Sequence, residues 1–196
     1  SGLRITGEVH AVPDASVEFF ADRTYTDAAG VRHSDQEIFA EIFRMIRDAE
    51  TFVLVDMFLF NDLLGTATTS HKALSQQLTD VLIEKKKFNP ETAIQVITDP
   101  VNQIYGGYES PHIAALRAVG IPVTETKLSA LRDSNPLFSG AWRAVLQWVP
   151  ERLPAIFPNI LDARKPMLAI RPYLAALNFK ANHRKVVVAD RKENGI

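Results

Sequence analysis

Apolar positions along residues 38–126 follow two alternating rhythms. Ile38, Phe39, Ile42, Phe43, Ile46 and Ala49 fall on one face of a 3.6-residue period, so the spacing predicts a helix of about four turns. Ser34 and Glu37 just ahead of it match a capping box. Phe52–Val55 and Met57–Phe60 then form an apolar run with no helical period, as expected for a strand covered on both sides. Leu74, Leu78, Val81 and Leu82 mark a second amphipathic helix, closed by Lys85, Lys86 and Lys87, which read as a solvated helix end suited to the dipole. Ala93–Thr98 is the next strand. Ser110 and Pro111 open a third helix as cap and N1 proline, Gly120 stands where a helix-ending glycine belongs, and Ile121–Thr124 is a further strand. Upstream, Val17–Phe20 reads as a short strand followed by a polar turn region, 22–30.

Strands separated by single helices imply an α/β fold, a layered α-β-α domain with a mixed sheet. From about 127 to 172 the rhythm is lost. Trp142, Val145, Leu146, Trp148 and Val149 suggest one short helix, and the five prolines from Pro150 to Pro172 break up the chain beyond it. An irregular insertion of this length is expected to cover a site or form a substrate loop. Order returns at Asn178–Asp190, which contains the β-branched run Val186–Val188.

With 196 residues, 46% of them hydrophobic, the chain can bury a core and is expected to form one domain over 1–196. Twenty-two basic and 23 acidic residues leave a net charge of −1, without the basic excess of a nucleic-acid binder. The absence of cysteine excludes a disulfide framework, a thiolate metal site and a cysteine nucleophile. Asp56 interrupts the longest apolar stretch, which is far too short to cross a membrane. The opening SGLRITGEVH lacks the apolar core of a signal peptide, so a cytoplasmic or peripheral-membrane location is expected. Ser1-Gly2 without a methionine suggests a piece of something longer.

Candidate chemistry concentrates in Asn178–Asp190. On an extended segment His183 and Lys185, two residues apart, project from the same side. A neutral imidazole is a nucleophile near neutral pH, and a neighbouring ammonium can neutralise the oxygens of a phosphodiester. The leaving alkoxide needs a proton, most economically from a second histidine facing the first. The scheme needs no metal and no cofactor.

The spacing His183, Lys185, Asp190 resembles the HKD motif of the phospholipase D superfamily. Asp56–Asn61, Ile97–Pro100, Tyr105–Gly107 and Leu131–Pro136 also look like stretches of bacterial, cardiolipin synthase-like members. The resemblance implies half of a bilobal fold, with His183 as nucleophile or partner acid and Lys185 as phosphate binder. Asp190 would be the motif's third member, more an orienting group than a reacting one. Family members carry two such motifs, in one chain or across a dimer. His10, His33, His71 and His112 lack a lysine two residues on, so this chain reads as the N-terminal half of a two-motif protein, incomplete by itself. The implied activity is phosphodiester hydrolysis or phosphatidyl transfer on phospholipid, with possible membrane contact. The alternatives are a nucleic-acid phosphodiesterase, disfavoured by the charge balance, and a non-catalytic scaffold half. Asn102 and Tyr105, just past a strand's C-terminal end, are candidate substrate-binding residues. Asp56 is either a buried structural acid or a pocket residue, and the two tryptophans serve either packing or lipid contact.

Overall fold

The computed structural model describes residues 7–65, 72–150 and 152–190. Where the sequence reads as one domain, the chain packs as two compact units that divide after Glu41. The first holds an antiparallel hairpin of β1 (Arg23–Thr26) and β2 (Arg32–Asp35), with Arg23 opposite Asp35. Its turn is closed by Asp27 Oδ1, which accepts from the amides of Ala29 and Val31, while Oδ2 meets His33 Nε2 at 2.8 Å. Two expectations fail here. Val17–Phe20 forms no strand, and Val17 and Phe19 stay largely exposed. Ser34 belongs to β2 rather than to a cap, and the amides of Glu37 and Ile38 are instead satisfied by Asp22 Oδ1, at 2.9 and 3.1 Å.

The larger unit is an α/β layered fold built on a mixed four-stranded sheet ordered β5-β4-β3-β6. Strands β3 (Phe52–Met57), β4 (Ala93–Thr98) and β5 (Val123–Glu125) are parallel, and β6 (Lys185–Ala189) runs antiparallel to β3. Helix α1 (Ile38–Asp48) leads into β3, α2 (Leu74–Phe88) joins β3 to β4, and α3 (Pro111–Ala118) joins β4 to β5. Both crossovers step the same way across the sheet, so right-handed connection puts α2 and α3 on one face, where they touch. The core lies beneath them: Val53, Val55, Ile94 and Val96 pack with Leu78, Leu82, Ile113 and Leu116, all nearly or wholly buried. The alternate row, Phe52, Val186 and Val188, stays partly exposed, so the apolar run of β3 is sealed more completely on one side than on the other.

Lys85 is no solvated helix end. It is buried and donates to the carbonyl of Arg47 at 2.9 Å, tying α2 to the end of α1. Gly120 takes φ +78 beyond α3, as its position predicts, but the Ser110 hydroxyl caps nothing. The irregular stretch contains α4 (Pro136–Ala144), capped by Asn135 Oδ1, followed by a single 3-10 turn at Leu146–Trp148. The helix therefore starts and ends earlier than the tryptophan spacing suggests, because proline at N1 and an Asn cap set its start. Helix α5 (Ile170–Ala176) leads back to β6. No described helix is long and apolar enough to cross a membrane.

Candidate functional site

The C-terminal ends of β3 and β4 and the entry to β6 meet at one edge of the sheet, where α/β folds place ligand loops. The Phe58 amide donates to the Arg184 carbonyl at 2.9 Å, extending the β3–β6 pairing past the last ladder residue. Along this extended backbone the side chains alternate. Arg184 and Asn182 turn to Asp56, at 3.4 and 3.0 Å, while His183 and Lys185 lie together on the other side. Lys185 Nζ donates to His183 Nε2 at 3.3 Å, and both groups are exposed. Phe58 supports the pair: its ring meets the imidazole edge-on at 4.6 Å between centroids, and Lys185 Nζ stands 5.3 Å from its centre.

The residue before the histidine is held by three contacts of its own. Asn182 donates its amide N–H to Asp99 Oδ2 at 2.7 Å, and its side-chain amide reaches Asp56 Oδ1 and Thr126 Oγ1, each at 3.0 Å, beside the Arg184 contact to the same Asp56 carboxylate. Asp56 and Asp99 are both buried, the latter completely. Carboxylates from the ends of two neighbouring strands thus hold the segment that carries the imidazole, Asp99 at a backbone amide and Asp56 at the side chains on either side. Asp56 is a hydrogen-bonded structural acid, and it stands next to the candidate site. Neither the Asp99 contact nor the Asn182 contacts are legible in the sequence. The only signals are the acid inside the apolar run and an asparagine adjoining the histidine.

Asp190 stands apart. Five residues of extended chain separate it from Lys185, a distance of roughly 17 Å. Its Oδ2 accepts from the amides of Glu50 and Thr51 and from Thr51 Oγ1, and its Oδ1 from the Phe52 amide at 2.9 Å. The Phe52 hydrogen bond, followed by those of Thr51 and Glu50, lowers its pKa to about 2 against the opposing effect of burial. The motif's aspartate is therefore an anchor at the far end of the strand and touches neither His183 nor Lys185.

Asn102 does not line a pocket, contrary to the sequence expectation. It is fully buried, and both ends of its side-chain amide are engaged. Its Oδ1 accepts from the Phe60 amide (2.9 Å) and Asn61 Nδ2 (2.6 Å), and its Nδ2 donates to the Phe58 carbonyl, Thr98 Oγ1 and the Asp99 carbonyl. It clamps the loop after β3 to the loop after β4. Tyr105 does face open space. With Ile104 it takes a left-handed backbone conformation, φ +51 and +47, rare for such side chains. Burial, then the charge of Asp99, pushes its phenol up. It borders a cleft of about 170 Å³ with Leu128, Trp142, Asn178 and Lys180. Lys180, which lines the cleft, is three residues from His183, so their Cα atoms lie within about 10 Å of each other along the chain. Asp133 holds Lys180 there, accepting from its Nζ at 2.7 Å and from Arg143 at 2.9 Å, and these two partners lower the Asp133 pKa.

No protein-family model matches this chain, and no curated protein matches it either.

Proposed function

We propose that this protein breaks or exchanges phosphodiester bonds of phospholipids through a phosphohistidine, supplying one of the two imidazoles the reaction needs. One observation carries the reading: an exposed imidazole with an ammonium 3.3 Å from its Nε2, on a segment held by two buried carboxylates, one at the Asn182 amide and one at the side chains of Asn182 and Arg184. The ammonium has protons to donate and no acceptor role, so the Nε2 facing it presents its lone pair. A phosphodiester entering the edge draws Lys185 Nζ onto its non-bridging oxygens and frees that lone pair. Nε2 then forms a bond to phosphorus as the bond to the leaving alkoxide breaks. The alkoxide takes a proton from a second acid, and water or an alcohol later opens the N–P bond. That second acid comes from another motif, in a longer chain or in a second copy. The likeness to the phospholipase D motif supports the same reading.

The first half of this cycle can be tested without the second acid. Nitrophenolate leaves without protonation, so bis(4-nitrophenyl) phosphate should give a burst of nitrophenolate stoichiometric with protein. Intact-mass and peptide analysis should place the nitrophenyl phosphoryl adduct on His183. A burst that survives His183→Ala unchanged would remove the imidazole from the mechanism. Turnover of mixed phospholipids by a protein holding both motifs would then identify the lipid class.

A further inference from the structure

A second imidazole lies where α2, α3 and the loop after β3 come together. His112, in the first turn of α3, is only 4% exposed. Thr79 of α2 meets its Nδ1, and the buried ring of Phe60, from the loop, lies 5.7 Å away between centroids. The hydrogen bonds fix which nitrogen donates. Thr79 Oγ1 has a single hydrogen and gives it to the Ser75 carbonyl at 2.7 Å, so toward His112 Nδ1, at 3.2 Å, it accepts. His112 Nε2 is buried and finds no hydrogen-bond partner among the described residues. A lone pair tolerates that surrounding far better than a cationic N–H would, so the resting ring is neutral. Among the described residues, the charges that act on it are Asp62 of the loop, Lys165 of the irregular stretch and Asp80 of α2. Asp62 and Lys165 are paired with each other at 2.9 Å. Burial outweighs all three and holds the imidazole below its ordinary value near 6.5, with the two aspartates raising it and Lys165 lowering it.

We propose that His112 is an acid-sensitive latch, whose protonation opens the loop after β3 and loosens the support beneath His183 and Lys185. A proton on Nε2 creates a buried cationic N–H without an acceptor, and water admitted to the junction is what can satisfy it. The two helices are held by their own backbone ladders. The loop depends on side chains instead: Asn102 Oδ1 accepts from the Phe60 amide, Asn61 Oδ1 from the Leu63 amide, and Ser75 Oγ donates to the Asn61 carbonyl. Opening therefore falls on the loop, the least regular of the three partners. Two residues before Phe60 stands Phe58, whose ring supports the exposed imidazole and ammonium. The folded protein keeps the His112 ring below 6.5, and opening lets it return there. The latch is thus closed above about pH 6.5 and weakens as pH falls. The inference does not depend on the phosphoryl-transfer reading, since it concerns the loop and not the chemistry.

The test is amide hydrogen exchange of the whole chain, expressed as protection factors at about pH 7.5 and about pH 5.5. The Phe58, Phe60 and Leu63 amides should open about tenfold more often at the lower pH. The Val96 amide of β4, bonded to the Pro122 carbonyl, should keep its protection. His112→Asn retains an N–H for Thr79 and cannot titrate, so its loop should open equally at both pH values. Unchanged protection of the parent loop would overturn the proposal, and so would a pH response that persists in His112→Asn. Should that variant fail to fold, the carbon-13 shifts of the His112 ring in the parent decide. A titration midpoint well below 6.5 is expected, and one at or above 6.5 would overturn the latch.

Discussion

The two ends of strand β6 carry ionisable groups under opposite conditions. At its entry, His183 and Lys185 are exposed and meet mainly each other and the ring of Phe58. At its exit, Asp190 accepts hydrogen bonds from three backbone amides and one hydroxyl, which leaves its carboxylate little capacity for a ligand. A charged group whose partners are all supplied by the fold stabilises the fold. One whose best partner is another solvent-facing group retains bonding capacity for something that arrives. Three residues that read as one motif along the chain therefore divide into a pair suited to chemistry and an anchor roughly 17 Å away.

The comparison breaks most visibly at Lys185. Lys185→Ala should slow the nitrophenolate burst by about a hundred- to a thousandfold, the usual loss when a preorganised charge-stabilising donor is removed. Its melting temperature should stay close to that of the parent, because an exposed pair contributes little to stability. A comparable loss of burst rate in Asp190→Asn, with stability unchanged, would reverse the division of roles. Asn102→Ala probes the buried support behind the exposed end. Stripping the partner from the Phe60 amide and the Phe58 carbonyl should cost roughly 2–4 kcal/mol in denaturant unfolding. Its burst amplitude per folded molecule should remain, as befits a clamp that touches no substrate.

Asp190→Asn should lower the melting temperature by several degrees at neutral pH and leave the burst rate of the folded protein near its parent value. The smallest effect is its pH signature. The Asp190 carboxyl is held at about 2, below its ordinary value near 3.8. Its stabilising contribution is therefore complete above about pH 4 and is lost as pH falls toward 2. Unfolding midpoints measured across that window should fall less steeply for Asp190→Asn than for the parent. Parallel curves would show that the anchor contributes no differential proton binding.

Legibility in the sequence varies with the range of the interactions involved. Ala93–Thr98 is readable to the residue, because a strand bounded by a turn and by Asp99-Pro100 leaves few registers. The same-side placement of His183 and Lys185 comes from the two-residue period of any extended chain. The β1–β2 hairpin is not readable: Arg23–Thr26 and Arg32–Asp35 lack apolar alternation, and a carboxylate in the turn closes it. Nor is the role of Asn102, whose partners at Phe58, Phe60 and Asn61 lie about forty residues upstream.

By itself the sequence determined the order of strands and helices from α1 to β5, an α/β class, and an imidazole beside an ammonium at a strand entry. These come from spacing between near neighbours, and spacing is local. Tertiary structure alone decided which polar groups are spent and which remain open. Asn182 reaches Asp99 across 83 residues and Asp56 across 126, and the latter's carboxylate lies beside β6 only once sheet register brings it there. Hydrogen-bond capacity is filled by whatever the fold brings within about 3 Å, and no pattern along one strand records it.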